Sequence, residues 1–278
     1  MQCQEMFFIF ELYIIPTFIL KHIISSFVYI YIDMIKLKDI LLENQASHPF
    51  IPHKIEGRLE KHIQVLEKMI QAYRNNGSKG DLDLSGMNLT KFPDVLKYVK
   101  VGGDFYCDNN QLRSLEGAPT SVGGIFWCGG NQLTSLVGAP KSVGRTFNCD
   151  NNQLTSLEGA PKSVGGSFYC ANNQLTSLEG APTSVGGTFS CANNQLTSLV
   201  GAPKRVGGSF GCNDNQLTSL EGAPTSVGGG FYCTNNQLKS LEEAPKNIGG
   251  DFYCGNNAVK FTEKDVRSVC DVKGKIIV

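Results

Sequence analysis

Eight of the chain's ten cysteines fall at 107, 128, 149, 170, 191, 212, 233 and 254, and every gap between them is 21 residues. So strict a period constrains the fold more than any local propensity. A unit this short cannot bury an apolar face alone and must stack on its neighbours. One full copy, Phe168 to Thr188, reads F-Y-C-A-N-N-Q-L-T-S-L-E-G-A-P-T-S-V-G-G-T. The general pattern is F-x-C-x-x-N-x-L-x-x-L followed by x-G-A-P-x-x-V-G-G-x. A weaker copy precedes the series, with Leu82, Leu84, Leu89 and Phe92 in the Phe, Cys, Leu and Leu places and Met87 where Asn is expected. The last copy begins at Phe252 and decays after Val259. Atypical end copies are what a stacked array needs, because its terminal coils face solvent.

Phe and Cys alternate, so on a short strand both point inward and stack on their equivalents one coil away. Successive strands then lie parallel, about 4.8 Å apart. Asn110, Asn131, Asn152, Asn173, Asn194, Asn215, Asn236 and Asn257 recur three residues after the cysteines, where a side-chain amide can satisfy backbone groups that a tight turn leaves unpaired. Gly-Ala-Pro and Val-Gly-Gly suit an irregular return path, since Pro fixes φ and Gly admits φ > 0. The expectation is a β-rich solenoid with one parallel strand per 21-residue coil and short helical caps at both ends, another β-solenoid being the alternative.

These residues carry a resemblance. F-x-C-x-x-N-x-L resembles the leucine-rich-repeat signature L-x-L-x-x-N-x-L, with Phe and Cys in two of the Leu places. The short unit and the Asn-Gln-Leu-Thr-Ser-Leu run are similar to the short leucine-rich repeats of bacterial effector proteins, and also to uncharacterised repeat proteins of bacteriophages. The resemblance covers residues 82–261 and implies that the strand face is the concave one. There is one departure: the first family Leu, three before Phe126, falls on Gly123, while the apolar Val122 lies one residue earlier. That leaves the geometry of the return path open.

Ten cysteines invite a disulfide or metal reading. In-register strands would set neighbouring ladder thiols (Cys107, Cys128, Cys149, Cys170, Cys191, Cys212, Cys233, Cys254) side by side, with Cβ atoms about 4.8 Å apart against the roughly 3.5–4.5 Å of a disulfide. Zinc-type C-x-x-C pairs are absent, and a straight row does not converge tetrahedrally. Cys therefore reads as a small buried hydrophobe, with no metal and no cofactor, and a row of free thiols points to a reducing, cytoplasmic setting. Cys3 and Cys270 stand outside the ladder.

The flanks divide the chain into four parts. Residues 34–81 read as an N-terminal helical cap, in which Leu59, Ile63, Leu66, Met69 and Ile70 recur near a helical period and Asn75-Asn76-Gly77 supplies a stop. Residues 82–261 are the solenoid. Residues 262–278 read as a C-terminal cap, where Thr262 and Asp265 have capping-box spacing and Val266, Val269 and Cys270 give a short apolar face. Residues 1–33 are strongly apolar but interrupted by Glu11, Pro16, Lys21 and His22, so no uninterrupted run reaches the ~20 residues of a spanning helix. Two readings stand: a mis-assigned start, with an ordinary one at Met34, or a membrane anchor if residues 6–32 are translated and insert. A secretory signal is weak, since no positive cluster precedes the apolar run.

Function is read from what varies between copies. The residue between Phe and Cys changes through Tyr106, Trp127, Asn148, Tyr169, Ser190, Gly211, Tyr232 and Tyr253, and the residue after Cys includes Asp108 and Asp150. By alternation these point outward. Tyr and Trp dominate binding hot spots, which makes Tyr106, Asp108, Trp127, Asn148, Asp150, Tyr169, Tyr232 and Tyr253 the candidate surface for a protein partner or a glycan. The alternative is a structural rod or spacer, a virion or surface component whose outward Tyr side chains merely stiffen the sheet.

An enzyme finds little support. The four histidines lie outside the repeats and form no metal motif, no phosphate-binding loop occurs, and no catalytic residue is assigned. Some effectors with similar repeats carry a ubiquitin-ligase domain with a catalytic cysteine; the 17 residues after Phe261 are too few for it. With 25 basic and 25 acidic residues, net charge is zero, which removes the basic stripe a general nucleic-acid binder needs.

Overall fold

The structure, a computed structural model, describes residues 53–278, with side chains from Gln64 onward. The apolar segment 1–33, Cys3, the start of the 34–81 cap and the side chains of Leu59 and Ile63 lie outside it. The repeats all belong to the second of the chain's two compact units, Glu60–Val278.

Each coil contributes two strands, not the single one expected. The Phe strand, as in Phe168–Tyr169, joins a ten-stranded parallel sheet running from Leu82–Asp83 to Ile276–Ile277. A second two-residue strand, as in Ser163–Val164, joins a nine-stranded parallel sheet running from Lys100–Val101 to Asp271–Val272. We call these the Phe sheet and the Val sheet. Register follows the repeat: Phe168 pairs Phe189, and Val185 pairs Val206.

The second strand accounts for the departure noted at Gly123. Val122 is buried and carries the core face, while Gly123 forms the corner between the two sheets. A Cβ on Gly123 would collide with the carbonyl oxygen of Gly102, and one on Gly186 with that of Gly165. The first glycine of each pair is thus demanded by the close approach of successive coils, not by a left-handed φ. One residue further along, the chain accepts Arg145 in place of the second glycine.

Between the sheets lies one continuous core. Phe105 through Phe252 are buried and stack coil on coil, with ring centroids 5.2–5.6 Å apart. Strand spacing sets that separation, so the rings pack offset instead of face to face. Two leucines per copy, such as Leu175 and Leu178, complete the layer and are fully buried.

Helix α1, His53–Asn75, precedes the first coil. Ile70 is buried, and Leu66 and Tyr73 pack against the core, but Met69 is exposed despite its place on the apolar face. The Tyr73 hydroxyl donates to the carbonyl of Ser78 (2.8 Å) or Gly80 (3.0 Å) and accepts from Gly102 N–H (3.3 Å). At the other end helix α2, Glu263–Val269, starts in a reciprocal capping box. Thr262 Oγ1 accepts from Asp265 N–H, and the Asp265 carboxylate accepts from Thr262 N–H. The segment after it adds Asp271–Val272 to one sheet and Ile276–Ile277 to the other, so 262–278 extends both sheets by a strand.

Candidate functional site

The outward face of the Phe sheet is held in place by two inner ladders. The amide nitrogen of Asn173 lies within hydrogen-bond reach of the carbonyls of Cys170 in its own coil (3.2 Å) and Cys149 in the preceding coil (3.1 Å). Its oxygen accepts the N–H of Leu154 from the preceding coil (3.0 Å). One amide thus bridges two coils, and the bridging pattern repeats from Asn110 to Asn257. Each is buried except Asn257, which is half-buried.

The cysteines form the second ladder. The Cys170 thiol donates to the Ser190 carbonyl (3.2 Å), and the same oxygen accepts Cys170 N–H (2.9 Å). The contact recurs from Cys107, whose thiol reaches the Trp127 carbonyl at 3.3 Å, to Cys233. A small buried residue with a weak donor fits here, where Leu or Val would leave the second lone pair unused. All eight, with Cys270, are free and buried. Burial pushes the Cys191 thiol up to about 12, and Cys254 and Cys270 to about 11, so these groups stay protonated and unreactive at neutral pH. Among the described residues no group of three His, Cys, Asp or Glu side chains is placed to hold a metal ion.

Outside, the variable residues resolve into two patches. Toward the N-terminal end, Tyr106 and Trp127 are neighbours with ring centroids 6.4 Å apart, and Tyr169 stands two coils further on. Toward the other end, Tyr232 and Tyr253 pair at 5.1 Å. Ser190 and Gly211 separate the patches. Trp127 is 41% exposed, and the other aromatics are half-buried. Asn148 departs from expectation: it is buried, its oxygen accepting from Asp150 N–H (3.0 Å) and its nitrogen donating to the Asp150 carboxylate (3.3 Å), so it folds back on its own coil instead of standing out from the face.

Asp108 and Asp150 lie half-buried two coils apart, on either side of the coil that carries Trp127. Gly129 occupies the equivalent place between them, and a Cβ there would come within 3.1 Å of Trp127 Nε1. The indole therefore leans over the gap that Gly129 leaves. Burial pushes both carboxyls above their usual range, opposed in Asp108 by its own N–H and in Asp150 by the N–H of Ala171. No cation lies within 4 Å of either carboxylate among the described residues.

One row escaped the sequence reading. Asn109, Asn151, Asn172, Asn193, Asp214, Asn235 and Asn256, the residues just before the ladder asparagines, all have φ between +53° and +57°, and Gly130 takes the same place at +64°. Only Asn, Asp and Gly occur there, the residues that tolerate the left-handed region, and that restriction was the available signal.

Neither a protein-family model nor a curated protein matches the sequence. Solved structures do. The chain is similar to a Shigella effector leucine-rich-repeat domain, at 16% identity over 80% of this chain and 96% of that one, with a TM-score of 0.51. It is also similar to YopM, a leucine-rich effector protein from Yersinia pestis, at 22% identity over 64% of this chain, with a TM-score of 0.47. YopM from Yersinia enterocolitica WA-314 matches at 16% identity over 81% of this chain, with a TM-score of 0.41. The chain spans 49% and 55% of those two proteins. The Shigella likeness shows the fold, a leucine-rich-repeat solenoid.

Proposed function

We propose that this chain is a non-catalytic scaffold that recognises a protein partner through the outward face of its Phe sheet. The observation that carries the reading is a difference between two equivalent rows. The outward position of the Val sheet is Ser at 121, 142, 163, 184 and 226, broken only by Arg205 and Asn247 across the full repeats. The outward position of the Phe sheet, in the same coils, runs through Tyr, Trp, Asn, Ser and Gly. Ser163 and Ser184 are exposed, and their hydroxyls have no partner among the described residues, so packing does not hold them as Ser. Drift after duplication would loosen both rows alike. Diversification concentrated in one row, and toward aromatics, is what recognition would produce.

A scaffold without catalysis also fits the thiols, whose only neighbouring acceptors are backbone carbonyls. A buried row of free cysteines suits a reducing compartment. Among the described residues no helix is long and apolar enough to cross a membrane.

The test is a photo-crosslinking side chain introduced at Trp127 and, separately, at Ser184. A discrete protein adduct at 127 and none at 184 is the expected result. Equal capture at both positions would contradict the reading.

A further inference from the structure

We infer that the partner presents a cationic segment, arginine side chains above all, to the N-terminal patch of the Phe sheet, docking a guanidinium on Trp127 between Asp108 and Asp150. The inference rests on the proposed role of that face and names the chemistry it would recognise.

The chain is neutral overall, but its charge is sorted. Three outward positions flank each Phe strand: the residue before Phe, the residue after it, and the residue after Cys. From residue 81 to residue 255 no Lys or Arg occupies any of them. Asp81, Asp83, Asp104, Asp108 and Asp150 do in the first coils, and Asp251 stands alone at the far end. One cation reaches this row among the described residues: Arg145, 68% exposed, lies 3.8 Å from Asp104. Compensating bases such as Lys141, Lys162, Lys204, Arg205 and Lys246 sit instead on or beside the Val strands. The acidic end of the Phe face is also the end that carries Trp127.

Local geometry narrows the partner further. Each carboxylate is already hydrogen-bonded within the fold: Asp150 accepts from Ala171 N–H (2.6 Å), and Asp108 from the Asn109 amide (2.7 Å). Their positions are thereby held, while no counter-charge is supplied. Asp108 and Asp150 stand two strand spacings apart, about 10 Å, with the exposed indole between them. The indole N–H has no partner among the described residues. A planar guanidinium stacks on an aromatic face and donates in its own plane to flanking carboxylates. An ammonium lacks the planar face and the fork of donors and meets both demands less well, and an acidic segment is repelled by the carboxylates.

Trp127 is the chain's one tryptophan, so its emission reports directly on the site. The experiment titrates labelled peptides of equal length, rich in Arg, Lys or Glu, into the full chain. It reads peptide anisotropy together with Trp127 emission. The Arg peptide should shift the emission, bind more tightly than the Lys peptide, and weaken as salt is raised. The Glu peptide should do neither. The double variant Asp108→Asn with Asp150→Asn should lose at least tenfold in affinity for the Arg peptide while unfolding at no lower a temperature than the parent. Silence of the emission toward the Arg peptide, or equal binding by that variant, overturns the inference. A partner crosslinked at 127 that lacks any basic segment also overturns it and leaves the binding face intact. Absence of selective capture at 127 contradicts the face itself.

Discussion

The Phe sheet and the Val sheet are built from the same coils, in the same parallel register, and most of their strands give one inward and one outward side chain. Their inward rows are uniform, Phe in one and Val in the other, with Ile248 the one exception within the repeats. Their outward rows differ in kind: aromatic, acidic and varied over one sheet, Ser-rich with neighbouring bases over the other. Repetition alone therefore does not set this surface. The Val sheet lies at a corner where successive coils approach until only glycine fits, so its neighbourhood is committed to the rod. On the Phe sheet, the spacing left by the Asn and Cys ladders admits anything from Gly211 to Trp127 without disturbing the core.

Substitutions in the two sheets probe that contrast. The largest effect is expected at the corner: Gly186→Val places a Cβ against the Gly165 carbonyl and should cost about 3 kcal/mol in urea unfolding. A cost below that of the next variant would show that the corner relaxes. Asn173→Ala removes the amide that serves two coils and leaves buried backbone groups unpaired, for a loss of about 2 kcal/mol in the same measurement. Trp127→Ala with Tyr169→Ala should lower partner affinity at least tenfold yet move stability by less than about 0.5 kcal/mol, as expected of surface side chains. Ser163→Ala with Ser184→Ala, the matched pair on the Val sheet, should change neither.

The smallest effect is one of pH. Burial raises the Asp108 and Asp150 carboxyls, so the folded chain holds those protons more tightly than the unfolded chain. Their contribution to stability is therefore fullest below the ordinary carboxylate pKa and declines as pH rises through the raised one. Asp108→Asn with Asp150→Asn should flatten that decline, which thermal unfolding followed from pH 3 to pH 7, roughly the carboxylate range, would reveal. A steeper decline in the variant would mean that the carboxylates are stabilised, not strained, by their surroundings.

Much of this was legible in the residues. The 21-residue period, the Phe–Cys alternation and the recurring Asn lead to a parallel solenoid because each acts through a single repeated contact. The Val strand was hidden for a physical reason. A two-residue strand set between Pro and Gly-Gly is too short to show alternation, and Gly usually marks a turn, whereas here it marks backbone against backbone. Alternation gave the direction of Asn148 but not its reach: a short amide folds back on Asp150, where Tyr at the same place extends. The pairing of Trp127 with the gap at Gly129 depends on two different variable positions, which no reading of one row could join.

Everything proposed for this chain depends on one outward row being a recognition surface and the other not. The decisive measurement is the affinity of the partner captured at position 127 for two purified variants, Trp127→Ala with Tyr169→Ala and Ser163→Ala with Ser184→Ala, each with its unfolding curve. If the Phe face is the recognition surface, the first loses at least tenfold in affinity, the second keeps it, and both unfold like the parent. Equal losses from the two variants, or a loss in the first that tracks its stability, would contradict that assignment.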